Sequence, residues 1–289
     1  MGICDQRTII VTGAGGGLGR AYARALAAEG ANVVVNDIRA DAAAAVVGEI
    51  GAQALANSDD ITSMAGAEKI VTAGVATFGD VHGVVNNAGM VRDKMFASMS
   101  EDDWDLVIKV HLKGHFCIAS TLVKRWREQV KAGQSVDARI INTSSGAGLQ
   151  GSVGQSNYVA AKAGIAALTL VQAAELARYG ITANALAPAA RTGMTEKVFA
   201  DLMKRPDGPG FDHYAPENVA PLVVWLCSPL SREVTGKVFE VEGGKLSIAD
   251  GWRTGTIRDK QARWNPAELS EVVPALVADA PKPQKVYGT

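Results

Sequence analysis

Three side chains in this sequence are suited to moving a proton to or from an alcohol. Ser145, Tyr158 and Lys162 lie in "SGAGLQGSVGQSNYVAAK", with the tyrosine thirteen residues after the serine and the lysine four after the tyrosine. A free phenol has a pKa near 10, too high for a base at neutral pH. A lysine one helical turn away lies on the same face, and its charge favours the phenolate. That pairing is expected to tune Tyr158 towards working pH as a general base. A Tyr and a Lys at helical spacing also occur by chance, so the elements around them decide the reading.

Those elements alternate. The run "TIIV" at residues 8–11 reads as a strand that stops at Thr12-Gly13, and helical spacing from Leu18 to about Glu29 ends at Gly30. The strand "NVVVN" follows, then "AQALAN", a helix from about Ser63 to Thr77, "VHGVVNNAG", a helix through Trp104 to Phe116 and beyond, and "ARIINTSS". After the helix of Tyr158 come "ITANALAP", a helix in "ENVAPLVVWLCS" and "KVFEVEGG". Continuous Val and Ile runs between helices imply α/β architecture, a Rossmann-type doubly wound parallel sheet in one domain.

In such a sheet a nucleotide binds beyond the carboxyl end of the first strand. The turn there, TGAGGGLG, fits T-G-x-x-x-G-x-G through Gly13, Gly17 and Gly19, with Leu18 where the standard dinucleotide fingerprint differs. Glycines let the backbone approach a pyrophosphate seated on the next helix N-terminus. Asp37 ends the second strand, where a carboxylate accepts from the adenosine ribose and repels a 2'-phosphate, so NAD is expected over NADP. Arg39 and Arg20 are cations able to soften that repulsion, and a strand-end turn former is the other reading of Asp37.

With "NNAG" at residues 86–89, these motifs together resemble the short-chain dehydrogenase/reductase family over roughly residues 5–245. The resemblance implies that Ser145 holds the substrate oxygen, Tyr158 is the base, and Lys162 also binds the nicotinamide ribose. It implies cofactor contacts at Asn87, Ala88 and Gly89, an adenine contact at Asp60 with Asp59 as the competing register, and an amide contact at Thr192 or Thr195. Where the family commonly has Asn in a V-N-L-K-G helix segment, this chain has His111. A fourth catalytic member and a packing histidine are both open there.

"TGAGGGLGRAYARALAAEGANVVVND", "NNAGMVRDKMF" and "VHLKGHF" carry a closer likeness, to the dehydrogenase domain of peroxisomal multifunctional enzymes of type 2. That subgroup oxidises (3R)-hydroxyacyl-CoA with NAD, and some relatives act on 17β-hydroxysteroids. An NADPH-dependent β-ketoacyl thioester reductase and a non-catalytic NAD-sensing scaffold are the alternatives. Residues 191–214 read as a lid in which Met194, Val198, Phe199 and Met203, with Met90, Met95, Phe96 and Leu149, line an apolar pocket. Arg253, Arg258 and Lys260 are candidate partners for CoA phosphates. The likeness extends into a C-terminal extension, residues 246–289, whose last eight or so residues are expected to fray.

A net charge of -1 gives no electrostatic case for nucleic acid or membrane surfaces as partners. Cys4, Cys117 and Cys227 are isolated, which indicates buried thiols rather than disulfides or a metal site. No start like a signal peptide and no eighteen-residue apolar run is present, and a cytoplasmic setting is expected. The Ala-rich helix after Tyr158 is too apolar to face water all round, so a homodimer or homotetramer is expected.

Overall fold

A computed structural model describes residues 1–193, 203–206, 208 and 210–289. β1 (Thr8–Thr12), β2 (Asn32–Asn36), β3 (Ala54–Asn57), β4 (Gly83–Asn86), β5 (Ala138–Thr143), β6 (Ile181–Ala189), β7 (Val238–Glu242) and β8 (Lys245–Ile248) form one sheet. Their order is β3-β2-β1-β4-β5-β6-β7-β8, with every pairing parallel except β7 with β8. The sheet therefore runs three residues beyond the boundary expected at 245.

Alternation along the strands feeds two cores. Ile9, Val11, Val33 and Val35 pack on one face with Tyr22, Leu26, Val223 and Leu226. Ile10, Val34, Val84 and Ile140 pack on the other with Ile70, Ile118, Leu122 and Trp126. The covering helices are α1 (Gly17–Ala28), α2 (Ala40–Ile50), α3 (Met64–Phe78), α4 (Glu101–Ile108), α5 (Gly114–Lys131), α6 (Gly146–Gln150), α7 (Ser156–Leu176) and α8 (Ala220–Cys227). Each fully buried Val, Ile or Leu contributes about 1.5–3 kcal/mol, enough to hold the strand ends that carry the chemistry.

Two features refine the expected helices. The run expected through Trp104 to Phe116 is interrupted by a π-helical turn over Lys109–Lys113, which contains His111. The helical runs Glu101–Lys131 and Ser156–Tyr179 are long and apolar enough to cross a membrane by composition, but both pack on this sheet and carry the candidate catalytic residues.

Beyond β8 the chain runs exposed to α9 (Leu269–Asp279), which begins at a capping box between Asn265 and Glu268. The last residues, expected to fray, are placed against the body of the domain. Tyr287 exchanges main-chain hydrogen bonds with Gly151 and Val153, so the last residues are held by the loop before α7. The expected lid residues Met194, Val198 and Phe199, with Thr195, lie outside the described residues.

Candidate active site

The glycine turn between β1 and α1 is locked from the side by the turn after β4. Thr12 Oγ1 accepts from the backbone N–H groups of Asn87 and Ala88 at 3.0 and 3.1 Å, and Asn87 Nδ2 donates to the Thr12 and Gly13 carbonyls. That contact leaves no room for side chains. A Cβ on Gly13 would lie 2.7 Å from Ala88 Cα, and one on Gly19 2.2 Å from the Gly13 carbonyl oxygen. At Gly16 and Gly17, by contrast, the nearest atoms to a Cβ are 3.9 and 3.6 Å away, on Arg39 and Thr192. The two glycines at the N-terminus of α1 thus border a space that side chains there would fill, and the turn fits a pyrophosphate.

Asp37 is buried at the end of β2. Its Oδ2 accepts from Gly15 N–H at 3.0 Å, and its Oδ1 from Arg39 N–H and Nε at 3.0 and 3.2 Å. Gly15 was not singled out from sequence, yet a Cβ there would lie 2.7 Å from the Asp37 carboxylate. Asp60 lies after β3 with both oxygens engaged by Thr62, and neighbouring Asp59 accepts from Asn57 Nδ2. The contacts of these two carboxylates leave the adenine register open.

A buried polar chain seats α7. Asn86 Nδ2 donates to Asn142 Oδ1 at 3.0 Å, and Asn142 Nδ2 donates to Thr169 Oγ1 and Gln172 Oε1 at 2.9 and 2.8 Å. Ser144 Oγ, one residue from the candidate serine, donates to the Lys162 carbonyl and so holds the same helix. Against β5 this places Ser145, Tyr158 and Lys162 together on one cavity wall, with the Ser145 hydroxyl close enough to the Tyr158 phenol to favour its ionised form. Lys162 Nζ lies 5.5 Å from the Tyr158 ring centroid and donates to the Thr143 carbonyl at 2.6 Å.

Charge in this trio is governed by burial. Burial pushes the Tyr158 phenol up, with the Ser145 hydroxyl pulling the other way, and pushes Lys162 down to about 7. In both groups burial disfavours the charged form.

His111 is buried, with Nε2 2.9 Å from Met90 N and 2.7 Å from Met90 O, and its ring meets Tyr158 edge-on at 5.2 Å. Burial and the nearby Lys162 charge push it down to about 3, so it is a neutral imidazole. Gly89 is required beside it, because a Cβ would lie 2.3 Å from His111 Cε1.

A cavity of about 410 Å³ brings Leu18, Asn87, Gly89, His111 and Thr192 into one wall with the trio. Met203 and Val91 also line it, whereas Met95 and Phe96 are 60% and 79% exposed and neither Met90 nor Leu149 is on the described wall. The expected phosphate partners are elsewhere: Arg253, Arg258 and Lys260 pair with Asp250, Asp279 and Glu268 on the exposed extension. Three wall residues were not anticipated: Glu240 and Glu242, at i and i+2 of β7, and Tyr287.

The cradle, the strand-end carboxylate and the Ser-Tyr-Lys trio, with Lys162 buried beneath it, together suit hydride exchange between a nicotinamide and a carbinol. Similarity agrees. Residues 7–203 match the short chain dehydrogenase family. The chain is 42% identical over 91% of its length to hydroxyacyl-CoA dehydrogenase ChsB1 of Mycobacterium tuberculosis, covering 86% of that protein. It is 42% identical over 83% of its length to peroxisomal multifunctional enzyme type 2 of Mus musculus, of which it spans 32%. A short chain dehydrogenase from Mycobacterium avium superimposes with a TM-score of 0.91 at 54% identity, with all of both chains covered. The chain belongs to the short-chain dehydrogenase/reductase family of nicotinamide-dependent oxidoreductases acting on CH–OH groups.

Proposed function

We propose that this protein oxidises a (3R)-hydroxyacyl-CoA to the 3-ketoacyl-CoA with NAD. The observation that carries the substrate class is the 42% identity, across 91% of the chain, to a hydroxyacyl-CoA dehydrogenase. The residues supply the steps. Ser145 holds the substrate hydroxyl, Tyr158 removes its proton, and Lys162, fixed on Thr143, lies against the phenol. When bound, the nicotinamide accepts hydride from the carbinol carbon. NAD is favoured because the Asp37 carboxylate occupies the end of β2 where a 2'-phosphate would be repelled.

One observation favours a second reading, oxidation of an uncharged alcohol such as a 17β-hydroxysteroid. Among the described residues lining the cavity, the cations are Lys162 and Lys245, and Lys245 stands 3.8 Å from Glu242. Polyphosphate recognition normally uses more cations than that. Steady-state NAD reduction with (R)- and (S)-3-hydroxyacyl-CoA and with a 17β-hydroxysteroid decides. Preference for the (R)-thioester supports the first reading, and preference for the steroid replaces it.

The working unit is a homodimer or homotetramer. α7 buries one side on the sheet and leaves Leu170 and Val171 each 51% exposed. Sedimentation of the protein as a monomer would remove this assignment.

A further inference from the structure

The loop from Ser145 to Tyr158 carries Gly146, Gly148, Gly151 and Gly154, more glycine than holding two catalytic side chains requires. Close approach explains two of them, Gly146 and Gly148, and a positive φ accounts for Gly151. A Cβ on Gly148 would lie 2.6 Å from Lys162 Cβ, so this glycine lets α6 close on α7. Gly146 and Gly151 face a different neighbour. A Cβ on Gly146 would lie 2.7 Å from the Tyr287 hydroxyl, and one on Gly151, whose φ is +88°, 3.4 Å from Val286 Cγ1. In return, a Cβ on Gly288 would lie 3.3 Å from Val153 Cβ.

The main chain confirms a made contact. Tyr287 N–H donates to the Gly151 carbonyl at 3.2 Å, and Val153 N–H donates to the Tyr287 carbonyl at 3.0 Å, a one-residue parallel bridge at Ser152. Thr289 then turns back, its N–H and Oγ1 reaching the Val286 carbonyl at 3.3 and 2.8 Å. A chain exposed from about residue 250 to 285 thus returns to the loop that begins at Ser145. Tyr287 lines the same cavity as Ser145 and Tyr158, together with Glu240 and Glu242.

We propose that Val286–Thr289 forms the outer wall of the substrate site and that Tyr287 is a specificity-determining residue, limiting the size of the group accepted beside Ser145. This rests on the reading of the cavity as the site of the hydroxyacyl group. The phenol ring occupies space that a bulkier substrate would need, and a side chain on Gly146 would displace it. Tyr287→Ala opens that space without touching Ser145, Tyr158 or Lys162.

Two measurements test this. In the first, kcat and KM are compared across 3-hydroxyacyl-CoA substrates of graded acyl size, or across whichever graded secondary alcohols the wild type turns over. Tyr287→Ala is expected to raise the long-over-short ratio of kcat/KM at least about tenfold, mainly through KM, while Tyr287→Phe leaves the ratio near wild type. An unchanged ratio in Tyr287→Ala overturns the specificity role. In the second, which needs no substrate, amide hydrogen exchange of Val153 and Tyr287 is followed. Slowing of both by at least about tenfold relative to unstructured peptide is expected, with release in Gly146→Ala and no further release when Tyr287→Ala is added. Free exchange of both amides in the wild type overturns the wall itself. If no 3-hydroxyacyl-CoA reacts while both amides are protected, the substrate reading fails and the wall stands.

Discussion

Lys162 donates from Nζ to the Thr143 carbonyl at 2.6 Å, and through this bond the catalytic helix is tied to the end of β5. The ammonium is held where its charge is costly, since Lys162 is 2% exposed and burial pushes it down to about 7. An unfolded chain holds that proton up to about pH 10. Between about pH 7 and 10 the unfolded state therefore binds more protons, and stability rises with pH across that window. Urea unfolding from pH 7 to 9 is expected to show this rise, and Lys162→Met to flatten it while abolishing turnover. A slope equal in wild type and variant would show that Lys162 is not the group responsible.

Tyr158 titrates in the opposite setting. Burial raises the phenol above its usual value, so the phenolate, the form that removes a proton, grows with pH. Oxidation of an alcohol is expected to speed up through the alkaline range. Tyr158→Phe is expected to lower kcat by about 100-fold or more, the usual worth of a positioned base, with NADH affinity nearly unchanged. Stopped-flow turnover and NADH fluorescence titration separate the two effects, and a variant that keeps more than about a tenth of kcat would remove Tyr158 from its role.

The proposed preference for NAD can be tested through the way Arg39 is held. Its guanidinium lies on the Asp37 carboxylate, with Nε 3.2 Å from Oδ1 and Nη2 3.4 Å from Oδ2. Asp37→Ser removes both the repulsive charge and the group that restrains the arginine, freeing Arg39 to pair with a 2'-phosphate. A charge-assisted contact of about 1.5–3 kcal/mol corresponds to about a tenfold to hundredfold gain. The ratio of kcat/KM for NADP over NAD is expected to rise at least that much, and a fall or no change would show that Asp37 does not set the preference.

The parts of the site that local chemistry writes into sequence were legible. β-branched runs and glycine turns marked the strands that end at Thr12, Asp37 and Asn86, and the Tyr158-Lys162 spacing marked the face of α7. What was not legible depends on contacts between distant segments. Gly15 lies midway between Gly13 and Gly17, which the spacing already used, and only the fold shows that it abuts Asp37. α2 has alanine or valine at seven of its eleven positions and only Asp41 and Glu49 as charged contrast, so its helical period is weakly marked. The π-helical turn at His111 adds one residue inside a continuous helical pattern, which periodicity averages away. Tyr287 sits in a Pro- and Lys-rich stretch that reads as unstructured, and its docking depends on glycines well over a hundred residues earlier.

His111 is the residue for which sequence left two roles open, and its contacts favour packing over proton transfer. Its Nε2 is taken by the Met90 backbone and its Nδ1 is buried with no partner, so the imidazole steadies the turn after Gly89 and packs on Tyr158. With the ring held down to about 3, it stays neutral from about pH 4 upward and contributes no titration near the ordinary histidine range. His111→Asn keeps the backbone of the π-helical turn and is expected to cost less than about tenfold in kcat, whereas a proton-transferring side chain would cost about 100-fold or more. The variant is also expected to relieve the crowding at Gly89, so that Gly89→Ala harms the His111→Asn background less than the wild type. A kcat profile with a limb between pH 5 and 7 that disappears in His111→Asn would instead assign the imidazole to proton transfer.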